Sequence, residues 1–216
     1  MTDALLPEEP VSAGPFGDWL ARMRNSLRGE GGTDVPCGTC VGCCVSSYFI
    51  PIRPKDAAAR VRIPADKLIR ATGQPPGHAM MAYESNGLCP MLDASNKCRI
   101  YDVRPQTCRD YDCRIFAAAG LEAGPAKPVI NRRIRAWRFS YPTEADDAAH
   151  RAVRAAAEFI QAKREKFPGD RAPTAPTGIA VLAIKAYDVF LDAPPDDDES
   201  TARAIVEASR KFDAAG

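Results

Sequence analysis

Cys37-Gly-Thr-Cys40-Val-Gly-Cys43-Cys44 is the stretch from which the rest of the chain is read. Its spacing is C-x2-C-x2-C-C. Two residues between cysteines let both sulfurs of a tight turn face one ion. Gly38 and Gly42 supply backbone freedom where the chain wraps closely around that ion, and their amides are placed to hydrogen-bond sulfur. Cys43 and Cys44 are adjacent, so their side chains are expected to diverge, with one serving a second site or bridging two ions.

Four more cysteines follow: Cys89, Cys98, Cys108 and Cys113, and none lies outside the span from Cys37 to Cys113. Cys89 and Cys98 flank an expected hairpin and are placed to converge. Pro105 opens a short helix, which puts Cys108 in its first turn. There the helix amides, with Arg104 and Arg109 on either side, are expected to lower the thiol pKa. Cys113 closes the site only if that helix has already ended.

The N-terminal MTDALLPEEP is acidic and proline-interrupted, unlike a secretory signal, so a cytoplasmic location is expected. Disulfides do not persist in that compartment, which leaves metal as the reason for eight clustered cysteines. Buried unligated thiols are the bland alternative. The candidate metal ligands are therefore Cys37, Cys40, Cys43, Cys44, Cys89, Cys98, Cys108 and Cys113. Cys37, Cys40 and Cys43 match the first three positions of a ferredoxin run, with Cys89-Pro90 as a remote fourth ligand. An iron–sulfur cluster of the 4Fe-4S type is the favoured occupant, and zinc, which the same thiolates satisfy, is the alternative.

The run Cys37–Cys44, followed by Cys89-Pro90-Met91-Leu92, Cys98-Arg99-Ile100-Tyr101, Arg104-Pro105 and Cys108-Arg109, resembles the YkgJ-type cysteine cluster family, also called the CxxCxxCC zinc- or iron-chelating domain. The resemblance covers about residues 35–118. It implies a bacterial protein with zinc or an iron–sulfur cluster on the matching cysteines from Cys37 to Cys108; Cys113 matches less uniformly. A similar cluster occurs in flagellin lysine methylases.

Composition sets the frame. Of 216 residues, 45% are apolar, enough for a real core, and 26% are charged. The net charge of +1 gives no global field to attract nucleic acid. No apolar run approaches the roughly 20 residues that span a bilayer, so a membrane partner is not expected. A metal ion or cluster is the expected partner, with room for a protein partner.

The expected fold class is α+β: a small, irregular, metal-organised cysteine module with short hairpins and helices, followed by a C-terminal helical segment. The expected divisions are 1–34 (tail and amphipathic helix), 35–120 (cysteine domain) and 121–216 (connector and helices). Residues 1–14 read as a loose tail. Phe16, Trp19, Leu20, Met23 and Leu27 form one helical stripe. In the middle, Tyr48–Ile52 and Ala79–Tyr83 read as strands, and Lys55–Val61 and Ala65–Ala71 as helices. Asn86-Gly87 signals a turn. Val129–Trp137 reads as a strand or extended arm. Helices follow at Glu144–Lys166, Ile179–Leu191 and Asp198–Phe212, the last with the acidic run 196–199 as its N-cap.

His78 reads as a loop residue and His150 as a surface one. The arginines 132, 133, 135 and 138 read as a solvated arm, and no catalytic residue is assigned. The expected function is a bacterial cysteine-cluster metalloprotein. Its two forms are an enzyme using the cluster as cofactor, such as a protein lysine (flagellin) N-methylase-like modifier, and a structural metal-stabilised binding module.

Overall fold

The computed structural model describes residues 9–33, 35–38, 40–170, 172–191 and 193–216. The fold is mixed, 49% helix and 10% strand, with a C-terminal helical segment, and is α+β as expected. The described elements begin with β1 (Val11–Pro15), α1 (Phe16–Leu27), β2 (Ile50–Ile52), α2 (Ala57–Arg62), β3 (Leu68–Arg70) and β4 (Ala79–Met81). They continue with α3 (Gln106–Asp110), α4 (Arg114–Ala119), α5 (Pro128–Ala136), β5 (Trp137–Ser140), α6 (Glu144–Ala162), α7 (Pro176–Ala186) and α8 (Asp198–Ala214). Among the described residues no helix is long and apolar enough to cross a membrane. The chain divides into two compact units. One is discontinuous, residues 1–31 with 113–216; the other is the continuous stretch Gly32–Asp112.

The discontinuous unit is helical. α1 buries Phe16, Trp19, Leu20 and Met23 of the stripe read from the sequence and leaves Leu27 half-buried. α7 is apolar on most sides and packs against α6, α8 and α4. Its Ala180, Ala183 and Ala186 are wholly buried, and such small side chains allow close helix approach. α6 starts in a capping box, in which the Thr143 hydroxyl accepts the Asp146 N–H while the Asp146 carboxylate accepts the Thr143 N–H. The other oxygen of Asp146 accepts the Gly17 N–H at 2.8 Å, which ties α1 to α6. Asp197 caps α8 by accepting the Ser200 N–H, as the acidic run suggested.

Three expectations are corrected in this unit. Val11–Pro15 is not part of a loose tail but a strand, paired in parallel with Trp137–Ser140. Its sequence, Val-Ser-Ala-Gly-Pro, has little intrinsic strand preference, and the distant partner decides. Most of the arm at 129–137 is helix, with Pro128 in its first turn and Ile130 and Ile134 buried one turn apart. The arginines between them obscured that period. His150 is not a bare surface residue, because it stacks on Phe16 at 4.4 Å and its Nδ1 meets the Tyr141 hydroxyl at 2.7 Å.

The Gly32–Asp112 unit is built on a small antiparallel sheet of order β2-β4-β3. Ile52, Ala59, Ile63, Ala79, Met81, Met91 and Ile100 form its core. The helix expected at Ala65–Ala71 is only one 3-10 turn, Ala65–Lys67, before β3. Pairing with β4 captures Leu68–Arg70 and overrides the local helical pattern.

Candidate metal centre

The cysteine loop is a chain of tight turns. The Cys40 N–H donates to the Cys37 carbonyl at 2.9 Å, across Gly38 at φ +56°. The Gly42 N–H donates to the Cys40 sulfur at 3.4 Å. The Val45 N–H reaches back to the Val41 carbonyl at 3.1 Å, one helical turn. This turn corrects the expected divergence of the vicinal pair, whose Cys43 and Cys44 sulfurs lie 3.8 Å apart. Adjacent side chains oppose one another in an extended chain but not in a helical turn.

The loop is stitched to the next cysteine. The Cys89 N–H donates to the Cys44 carbonyl at 2.7 Å, and the Ser47 N–H to the Gly87 carbonyl at 3.2 Å. Gly87 sits at φ +83° in the turn marked by Asn86-Gly87. Beyond it, an isolated bridge joins Leu92 to Cys98. Asp93 organises the intervening turn by accepting the Ser95 and Lys97 N–H groups. Cys89 and Cys98 both pack against the core of the unit.

Cys108 is carried by α3, and Asp56 fixes where that helix stands. One Asp56 oxygen accepts the Gln106 N–H and the other the Arg53 N–H, each at 2.8 Å. The Thr107 hydroxyl donates to the Pro51 carbonyl of β2 at 2.9 Å. Asp56 is buried at 8% exposure and went unnoticed in the sequence. The only hint was an acid two residues beyond Pro54, ahead of an alanine-rich helix.

The ionisation of the thiols shows which of them share a field. A hydrogen bond from Cys44 lowers the Cys43 pKa, and one to Cys89 brings that thiol down to about 7. The Cys44 pKa is raised, because its proton is held between the other two. Burial raises Cys98, with the Cys89 and Cys43 charges adding to it. Cys108 is pushed up to about 12, by burial first and then by the charges of Cys43, Cys89 and Cys98. That corrects the lowered pKa expected there. α3 is a single short helix, and burial outweighs the Arg104 charge.

Cys43, Cys44, Cys89, Cys98 and Cys108 thus form one interacting group drawn from three separate segments. Cys40 stands within the same loop, and Cys37 is exposed at its start. Cys113 falls outside the unit. It caps α4 and is buried, with its sulfur accepting the Trp137 indole N–H at 3.2 Å. α3 does end before Cys113, but the sulfur faces Trp137.

The donor set suits a soft cation, since five crowded thiols resist joint ionisation and a thiophilic metal takes the place of their protons. Among the described residues no three His, Cys, Asp or Glu side chains form a ready coordination shell. Residues 36–126 match the model of a family named CxxCxxCC and described as a "putative zinc- or iron-chelating domain". This segment is similar to the CxxCxxCC domain. The match supports zinc or iron chelation by this segment. The CxxCxxCC match takes in all eight cysteines and runs past Asp112 and through α4. No curated protein and no solved structure matches the chain.

Proposed function

We propose that the CxxCxxCC domain holds its metal on Cys43, Cys44, Cys89, Cys98 and Cys108, with Cys44 at the middle of the set, and that this metal is a structural staple of a binding module. The observation that carries the reading is the 3.8 Å separation of the Cys43 and Cys44 sulfurs. Two thiolates on one tetrahedral ion with bonds of about 2.3 Å stand about 3.8 Å apart. A four-iron cluster takes one thiolate on each iron and holds its ligands farther from one another. The vicinal pair therefore favours ligation of a single ion, zinc foremost, over the 4Fe-4S cluster suggested by the ferredoxin-like spacing. Five candidate ligands exceed a tetrahedron, so a second ion with Cys44 as the bridge fits the same set.

The structural role follows from Cys89 and Cys98, which serve both the thiol group and the core. A unit with three-residue strands has little independent stability. Metal binding energy then becomes folding energy. Analysis of anaerobically purified protein for zinc, iron and acid-labile sulfide tests the proposal. At least about one zinc or iron per chain with little sulfide is expected. Sulfide equal to iron would replace the single-ion reading with a cluster, and absence of both metals would end the proposal.

A further inference from the structure

The sulfurs of Cys43 and Cys44, neighbours in the sequence, stand 3.8 Å apart. The turn behind them is closed twice. The Val45 N–H donates to the Val41 carbonyl at 3.1 Å, and the Ser46 hydroxyl donates to the Gly42 carbonyl at 2.5 Å. Neither bond uses a cysteine, so the turn persists while the two thiol side chains change rotamer. Cys43 is exposed and Cys44 half-buried. A small reagent arriving from solvent therefore meets Cys43 first, with Cys44 beside it. A disulfide needs its sulfurs at about 2.05 Å, an approach that stays within this one turn. Adjacent Cα atoms are about 3.8 Å apart, below the roughly 4.4–6.8 Å that relaxed disulfides span. A bond between these two residues is therefore strained, and strained, exposed disulfides are the readily reduced ones.

We infer that Cys43 and Cys44 are a peroxide-responsive release switch for the metal: oxidation to a vicinal disulfide withdraws both ligands, and a thiol reductant restores them. This rests on the proposed ligand set. The Cys43 thiolate attacks one peroxide oxygen, forming a sulfenic acid and releasing hydroxide. The Cys44 thiolate then attacks that sulfur, so the S–S bond forms and a second hydroxide leaves. Two electrons pass from the pair of sulfurs to one peroxide, which ends as two hydroxides. Cys89, Cys98 and Cys108 remain, too few for the four-coordinate site that structural zinc takes. The hydrogen bond from the Cys89 N–H to the Cys44 carbonyl, at 2.7 Å, is a main-chain bond and does not depend on the sulfurs. It keeps the loop beside the remaining thiols, ready to take metal again once reduced.

The test uses the full chain loaded with Zn2+ under reducing conditions and then freed of reductant. Zinc content is measured first, and failure to bind zinc overturns the ligand set and the inference with it. Hydrogen peroxide is then added with a colorimetric zinc indicator, the remaining thiols are alkylated, and the peptide carrying Cys37 to Cys44 is read by tandem mass spectrometry. Zinc should leave in step with disulfide formation, about one ion per disulfide. Cys43 and Cys44 should escape the alkyl label while Cys37 and Cys40 carry it. A dithiol reductant should return both thiols and let the chain take up zinc again. Zinc retained in the presence of peroxide overturns the inference and leaves the ligand set standing. Release with Cys43 and Cys44 both alkylated, or with Cys43 driven to a sulfinic acid that the reductant does not reverse, overturns it as well.

Discussion

Asp56 Oδ1 accepts the backbone N–H of Gln106 at 2.8 Å, fastening the loop ahead of α2 to the helix that carries Cys108. Its other oxygen holds the Arg53 N–H, so one buried carboxylate satisfies two main-chain donors from segments far apart in the chain. Asp56→Ala strands both donors and should cost about 2–4 kcal/mol. Asp56→Asn keeps one acceptor oxygen and should cost less. Urea unfolding of the metal-loaded chain measures both, and equal losses would contradict the bidentate role.

Cys44 stands between Cys43 and Cys89, whereas the Cys113 sulfur engages Trp137. Cys44→Ser should remove about half or more of the bound metal, and Cys113→Ser should leave it close to wild type. The serine hydroxyl at 113 can still accept the indole N–H, so its stability loss should be small, about 1 kcal/mol. Elemental analysis of the two purified variants checks the ranking.

Chelation under reducing conditions should loosen Gly32–Asp112 before the helices. The helical unit has wholly buried side chains on α6, α7 and α8 and does not contain the interacting thiol group. Hydrogen exchange should show protection lost first at β2, β4 and the cysteine loop, with α6 and α7 retained. Simultaneous loss from both units would show that they fold as one.

His150 has a pKa held below that of a free histidine, by burial first and then by the Arg154 charge. Above the unfolded-state value both states carry a neutral ring and the residue adds no pH dependence. As pH falls through about 6.5, the unfolded chain takes up a proton that the folded chain resists, so stability declines until the lower folded pKa is reached. Urea midpoints should fall between pH 7.5 and about pH 5. In His150→Phe, which keeps the stack on Phe16, that part of the slope should vanish.

Gly17→Ala should lower the Tm even though alanine favours helix. A Cβ at this position overlaps Asp146 Oδ1, the atom that accepts the Gly17 N–H. The same substitution in an Asp146→Ala background should be milder, and thermal unfolding of the four chains completes the cycle.

The sequence was most legible where one segment decides its own structure. α6 runs from a capping threonine through alanines and Val153 at helical spacing, and α1 shows its stripe plainly. Identification of the cysteine segment depended only on spacing. Legibility failed where a partner remote in the chain decides. β1 becomes a strand through Trp137–Ser140, and β3 forms against β4 where the local pattern favoured helix. The vicinal thiols meet because of a turn closed by Val45 on Val41, a backbone fact that C-C spacing does not encode. The Cys108 pKa was misjudged because burial cannot be read from neighbouring arginines.

Thr33 has a consequence for synthesis on the ribosome. Its hydroxyl lies 3.3 Å from the carbonyls of both Arg109 and Asp110, so the two ends of the inserted unit are fastened to each other. β1 emerges early and must wait for β5, which is made only after the whole insert. A floppy insert would make that parallel pairing a long-range search whose entropy grows with loop length. On the proposed reading, in which the insert folds on its metal, its ends then meet, and the chain still to be made joins β1 across what is in effect a short turn. Metal supply during translation would then govern how quickly the helical unit closes, although that unit holds none of the interacting thiols.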